Sequence, residues 1–410
     1  MVTFHNRIIY LTKCYIFNKM IIKYSLYLII ISIISLFVFI KVKFRFWASQ
    51  PVFHIYNIYY WLFQPGLIYK ELPLKTRYYD DQIVTQKYNN FPTDKKELLY
   101  ALVKNHFLTK DNCKYNPEKS DILNYFLSHN RSSFVSMKYK KIQKPYKTGI
   151  IQVPSKKLVS CMTSRPLNCY LNGIKKEISY VDFLCVHGNE RKMGNAPKTI
   201  YTHYKNSREL GAEDIFLFKR EGNVNFIIPL VIYNAFAFDI KRFNISNKIP
   251  SNILCTLITP NNYKLLYHYL NEIKKKFRCF IMPCLNHIKH QIESNLLFVC
   301  MLLDNNIPVG CYFFRNPQTS YNGKNSIECF ASYCENNYEK IFVSSFQNCI
   351  YLVNNNVKFD ILIMENLSNN NLLITEIQRK NTTLWKTPMA YYFYNFAYRP
   401  NLSKDVFLLN

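Results

Sequence analysis

Val181-Asp182-Phe183-Leu184-Cys185-Val186-His187-Gly188-Asn189-Glu190-Arg191-Lys192-Met193-Gly194-Asn195-Ala196-Pro197 reads as a strand that opens into a loop and closes into a helix. Gly188 and Gly194 are two of only 9 glycines in 410 residues. Small residues in such a loop let backbone N–H groups approach an anion, and the helix that follows offers the positive end of its dipole. Arg191 and Lys192 add charge at the same place. Pro197 suits the first helical turn, where a missing N–H costs nothing. Gly211 can close that helix at its other end. The chemistry that fits the arrangement is phosphate binding.

Outward from this stretch, strand and helix alternate. Helical patterning covers Lys95–Leu108 and Ser120–His129, and strand-like runs fall at Lys157–Met162 and Ile178–Val186. The second half repeats the theme, with helices over Tyr263–Phe277 and Ser344–Asn355 and strands over Leu297–Leu303, Val309–Phe314 and Phe359–Met364. No Pro/Ser-rich linker interrupts the chain. The pattern predicts an α/β fold of two consecutive halves, 44–230 and 231–410, packed as one body.

Hydrophobic residues make up 49% and aromatics 16% of the chain, enough for a sizeable core. Lys and Arg number 53 against 26 Asp and Glu, a net charge of +27 that suits nucleic acid, an anionic membrane or the phosphates of a cofactor. Heavy use of Lys, Asn, Ile, Tyr and Phe with little Gly is equally the mark of an A/T-rich coding background. No basic run is interleaved with a motif that reads RNA or DNA, so nucleic acid is not an expected partner. The 13 cysteines are odd in number and scattered, which fits reduced thiols in the cytosol. Cys279, Cys284, His287 and His290 could supply four zinc ligands, but their spacing is tighter than that of the usual finger and no metal is expected.

Before Phe44 the chain changes character. Ser25 to Ile40 is a run of sixteen uncharged residues flanked by Lys19, Lys23, Lys41 and Lys43. Residues 1–43 therefore read as a tail carrying an anchor helix over 25–42, which would contact membrane lipid. A span needs ~20 apolar residues with a lower limit of ~17, and the flanking lysines can snorkel to the headgroups. A signal peptide is the rival, but the run exceeds an h-region of ~7–15 residues and no small-residue cleavage site follows. A start at Met20 would leave the stretch intact.

The residues quoted first also carry a resemblance. Arg191-x-x-Gly194-x-Ala196 matches the loop with which GNAT-type acyltransferases hold the pyrophosphate of CoA. Phe183-Leu184-Cys185-Val186-His187 resembles the core of the N-myristoyltransferase signature. Further islands follow that family in order: Phe46-Trp47-Ala48-Ser49-Gln50-Pro51-Val52, Ser155-Lys156-Lys157-Leu158-Val159, Met364-Glu365-Asn366 and Tyr391-Tyr392-Phe393-Tyr394-Asn395-Phe396. The resemblance covers Phe44 to Asn410.

The resemblance implies two tandem GNAT-like acyl-CoA N-acyltransferase halves behind a hydrophobic helix. It implies transfer of a myristoyl group from myristoyl-CoA, as co-substrate with no permanently bound cofactor, to the N-terminal glycine amine of a protein. Arg45, Phe46, Trp47, Leu184, Cys185, Val186, Arg191, Lys192, Gly194, Asn195 and Ala196 would line the CoA site. The backbone N–H groups of Phe183 and Leu184 would form the oxyanion hole. The base would be the terminal carboxylate of Asn410, at the end of the short hydrophobic run Val406–Leu409. Cys185 would pack rather than attack. A monomer is expected, membrane-associated, with its catalytic body facing the cytoplasm.

Departures concentrate on the peptide side. The glycine-rich second signature of the family should lie between Asn366 and Tyr391, where there is no glycine. Trp385-Lys386-Thr387-Pro388 stands where its flexible loop should be. Asn234–Phe238 replaces a segment with a peptide-positioning His, and the acidic loop is reduced to Asp111 within Thr109-Lys110-Asp111-Asn112. Asp182 and Gly188 replace the usual Asn and Lys. A membrane-tethered pseudoenzyme, or a GNAT-type enzyme acting on another amine, is therefore the alternative expectation.

Overall fold

The computed structural model describes residues 2–63, 65–110, 112–143, 154–222, 226–242 and 249–410. Two compact units result, Met1–Gln50 and Pro51–Asn410. Asp111, the remaining acidic residue of the expected acidic loop, lies outside the described residues.

The N-terminal unit is one helix, Val2–Lys43, followed by a short 3-10 turn over Trp47–Ser49. Its Asn18–Lys43 portion is 26 residues long and apolar enough to cross a membrane. At 1.5 Å per residue that is ~39 Å, against ~30 Å of bilayer hydrocarbon. From Ser25 to Ile40 this portion carries no charge, with Leu28 at 65% and Leu36 at 60% exposure. Ser32 satisfies its hydroxyl within the helix by donating to Leu28 O at 2.8 Å.

The second unit is built on one large mixed sheet. Its first half runs from Ile83–Lys87 through Phe134–Gln143 to the 18-residue strand Pro154–Leu171. That strand then pairs with Ile174–Val181 over Ser164–Leu171 and with Cys185–Val186 over Ser160–Cys161. It is longer than its apolar pattern suggests because Asn172-Gly173, at φ 48 and 80, turns it directly into a hairpin. The second half orders Val231–Asp239, Ile361–Glu365, Lys324–Cys334, Ile307–Arg315, Leu297–Asp304 and Ile253–Leu257 side by side.

The two halves are joined through Trp385–Tyr394. This strand pairs with Phe216–Glu221 of the first half on one side and Val231–Asp239 of the second on the other. Trp385–Pro388, which stands where the resemblance places a flexible loop, is thus part of a paired strand. Pro388 lies in register with Asn234, and its carbonyl accepts from Gly222 N–H, so the missing N–H is tolerated in a paired strand. A second correction concerns Ser120–His129. A capping box of Glu118 and Asp121 starts a helix over Lys119–Leu123, but it tightens to a 3-10 turn at Asn124–Phe126 and ends before Ser128, at φ 59.

The last strand, Val406–Leu408, lies parallel to Cys279–Met282. Val406, Phe407, Leu408 and Leu409 are at most 3% exposed, and Phe407 stacks on Phe280 at 5.2 Å. Full burial of each such side chain is worth ~1.5–3 kcal/mol. Burial of this kind carries the chain end into the interior and holds Asn410 there.

Candidate functional site

The candidate phosphate loop has the form its sequence suggests. After Cys185–Val186 a 3-10 turn covers Gly188–Glu190, and a helix runs over Asn195–Glu209. Lys192 and Gly194 both adopt positive φ, 63 and 74, which folds the loop back over the helix start. The Asn195 side chain braces it, donating to Glu190 O at 2.9 Å and accepting from Lys138 Nζ at 3.0 Å. Arg191 points its guanidinium at the protein, donating to Val186 O and His106 O. Lys192 and Met193 are exposed, and Ala196 sits half-buried in the first helical turn. Behind the loop, His203 bridges the helix to the sheet through Ser136 Oγ at 2.8 Å and Ser164 Oγ at 2.9 Å. Burial pushes this imidazole down to about 3, so it is neutral.

Phe183 and Leu184 occupy the point where the chain leaves one strand and enters the next. His187 N–H donates to Val159 O, and the register pairs Cys161 with Cys185. Leu184 directly precedes this two-residue strand and is half-buried. The Phe183 N–H is engaged, donating to Thr163 Oγ1 at 3.0 Å. Cys185 is buried and its thiol donates to Leu102 O, which makes it a packing residue in this structure. Val186 is half-buried on the same short strand.

A cavity of about 580 Å³ opens beside this point. Asp182 and Phe183 line it from the quoted stretch, and Asn410 lines it from the chain end. Ala235, Trp385, Thr387 and Met389 form another wall, from the very strands where the family resemblance fails. Tyr115 and Tyr321 bring in a small sheet in which Cys113–Tyr115 pairs with Thr319–Tyr321.

The walls hold charges that sequence reading missed. Arg165, 1% exposed, donates through Nε to both Asp182 oxygens at 3.2 and 3.0 Å. Arg315 donates to Glu328 Oε2 at 2.7 Å and lies 3.7 Å from Glu365. Lys219 bridges Glu365 and Glu328. Arg315 Nη1 also donates to the Asn410 main-chain O at 3.1 Å and its Oδ1 at 2.9 Å. Burial raises the Asp182 carboxyl above the usual range despite Arg165. Burial likewise pushes Glu365 up to about 7, while at Glu328 the cations Arg315 and Lys219 outweigh burial and hold the carboxyl far down. A single charged residue inside an apolar strand was the available signal, as in Ile327-Glu328-Cys329 and Phe313-Phe314-Arg315.

Arg45, Phe46 and Trp47 belong to the N-terminal unit, where the Phe46 and Trp47 rings meet edge-on at 5.1 Å. Cys279 lies in a sheet strand, the Cys284 thiol donates to Ser128 O, and His287 Nδ1 pairs with Leu127 O at 2.8 Å. Among the described residues, no group of three or more His, Cys, Asp or Glu is arranged to hold a metal.

Comparison with solved structures identifies the fold. A Saccharomyces cerevisiae N-myristoyltransferase with bound myristoyl-CoA superposes with a TM-score of 0.67 at 12% identity, covering 89% of this chain and 99% of that one. A second structure of the yeast enzyme with myristoyl-CoA gives 0.66 at 11% identity, covering 89% and 94%. A third, with myristoyl-CoA and inhibitors, gives 0.65 at 11% identity. The chain thus has the α/β fold of N-myristoyltransferase. No family model and no curated protein matches it.

Proposed function

We propose that this protein transfers an acyl group from an acyl-CoA to a primary amine, with myristoyl-CoA as donor and the N-terminal glycine of a protein as acceptor. The observation that carries the proposal is that Phe183, from the strand-to-loop transition, and Asn410, from the chain end, line one cavity. The half ending at residue 230 would take the acyl-CoA, its phosphates on the loop from Arg191 to Ala196. The half from 231 would supply most of the amine site.

In the proposed reaction the Asn410 carboxylate accepts a proton from the substrate ammonium. A terminal carboxylate of ~3.3–3.7 is a poor base for an amine of ~7.7–8.0 in water, but desolvation brings the two together. Arg315 fixes the carboxylate while sharing its charge with Glu328 and Glu365, which limits how far it weakens the base. The amine nitrogen then bonds to the thioester carbon, the C–S bond breaks, and the proton that the nitrogen loses as the amide forms passes to the departing CoA thiolate. Negative charge on the carbonyl oxygen would be met by the Leu184 N–H, and by Phe183 N–H once it exchanges Thr163 for the substrate. No covalent enzyme intermediate is required, and Cys185 stays a packing residue.

A second reading, a membrane-tethered pseudoenzyme that keeps acyl-CoA without turnover, is favoured by the engagement of Phe183 N–H with Thr163. Incubating the full chain with myristoyl-CoA and a panel of N-terminal-glycine peptides and small amines, with CoA release and amide product followed together, separates the two. Amide formation on a glycine peptide is the expected result. Tight acyl-CoA binding without amide on any acceptor would establish the pseudoenzyme. The placement of the second unit on the cytosolic side belongs to the same proposal, and protection of that unit from protease added to the cytosolic face would overturn it.

A further inference from the structure

Residues 55–63 present an apolar face in a part of the second unit remote in sequence from the quoted stretch. The short helix Ile58–Leu62 has no buried residue. Ile55 is 51%, Ile58 65%, Tyr59 63%, Leu62 69% and Phe63 58% exposed. Five large apolar side chains so close together are unusual on a soluble surface, where such residues are scattered singly. The segment is nevertheless fixed: Trp61 Nε1 donates to Ile55 O at 3.0 Å, and the Phe53 and Trp61 rings pack at 5.0 Å. Burial in a core therefore does not explain the exposed face.

Positive charge stands beside it. Tyr59, Leu62 and Phe63 share a surface cavity of about 800 Å³ with Arg278 and Arg399. Arg399 closes the group by donating from Nη2 to Trp61 O. Both arginines are exposed, and among the described residues no carboxylate lines the cavity. Apolar and aromatic side chains beside cations are what a membrane interface selects, since rings and alkyl groups enter at the headgroup level while arginine meets lipid phosphate. The occupant is further limited by covalent continuity. The membrane-length helix ends at Lys43, so Ile55 follows within twelve residues, a reach of at most ~40 Å of extended chain.

We infer that the Ile55–Phe63 segment and the Arg278/Arg399 cavity form a second membrane contact, which inserts at the bilayer interface and binds the phosphate of anionic lipid. It would convert a body swinging on a tether into one held with a defined face against the bilayer.

The test uses the full chain reconstituted in vesicles of phosphatidylcholine with and without phosphatidylserine. A benzophenone photocrosslinking residue replaces Leu62, or as reference Leu254, which is 53% exposed on an outer strand. Lipid adducts at position 62 and few at 254 are expected, with higher yield when phosphatidylserine is present. Removing each arginine, R278A or R399A, should lower the advantage of phosphatidylserine by about fivefold. Equal lipid adducts at 62 and 254, no lipid adduct at 62, or adducts to protein instead would overturn the inference. Because the readout is lipid contact rather than turnover, it stands apart from the acyl-transfer proposal.

Discussion

Arg315 Nη1 lies 3.1 Å from the main-chain oxygen and 2.9 Å from Oδ1 of Asn410, so a buried cation holds Asn410 in the cavity. Its fork also meets Glu328 at 2.7 Å, a geometry that a lysine cannot reproduce. R315K should therefore lower kcat by ~10–100-fold, the scale of one misplaced catalytic group, while acyl-CoA affinity stays within about twofold. Steady-state kinetics with equilibrium binding of myristoyl-CoA checks this. R315M, by contrast, leaves Glu328 and Glu365 short of a partner and should cost ~3–5 kcal/mol of stability.

Thr163 competes for the Phe183 N–H that the proposed oxyanion hole requires, at 3.0 Å. T163V removes the acceptor at nearly constant volume. If the N–H must leave Thr163 during reaction, kcat should rise by up to about fivefold, the rate equivalent of a ~1 kcal/mol hydrogen bond. An unchanged kcat in T163V would remove Phe183 from that role.

The loop carries a separable prediction. Gly194 has φ 74 with nothing within 4 Å of an added Cβ, so a side chain there is strained by backbone conformation alone. G194A should cost ~1–2 kcal/mol. If the loop holds CoA phosphates, the Kd for acyl-CoA should rise ~10-fold, measured by calorimetry, with kcat at saturation little changed. An equal Kd would move the phosphates elsewhere.

His203 gives a pH signature. Its folded-state pKa of about 3 lies below the unfolded value near 6.5, so the unfolded chain binds more protons between those limits. Stability from this group is present above pH 6.5 and is lost as the pH falls toward 3, by up to ~5 kcal/mol. H203Q should flatten the acid limb of stability against pH, followed by urea melts at successive pH values, although it weakens the bonds to Ser136 and Ser164.

The quoted stretch made the strand, loop and helix readable because glycine, proline and the apolar run each limit the backbone locally. The same holds for Leu297–Asp304 and for the long helix before Lys43. The 18-residue strand was harder to read, since its length comes from the Asn172-Gly173 turn and from partners on both sides rather than from its own alternation. Trp385–Tyr394 was not singled out as a strand, since its pairing depends on the two strands that flank it rather than on its own residues. The loop and Asn410 could be singled out from sequence. The pairings of Arg165 with Asp182, of Arg315 with Glu328 and Glu365, and of Lys219 with both glutamates could not, because the partners lie apart in sequence and are brought together by strand register and, for Lys219, across the join of the two half-sheets.

Moving the terminal carboxylate without disturbing the core tests the central claim most directly. CoA release and amide formation from myristoyl-CoA and a glycine peptide would be compared among the full chain, N410A and a chain with one alanine added after Asn410. N410A keeps the main-chain carboxylate and should retain turnover within about tenfold, the weight of one lost charge-assisted hydrogen bond to Arg315. The added alanine moves the carboxylate by one residue, ~3.3–3.6 Å, and should abolish amide formation while acyl-CoA still binds. Turnover undiminished by the extension would contradict the account.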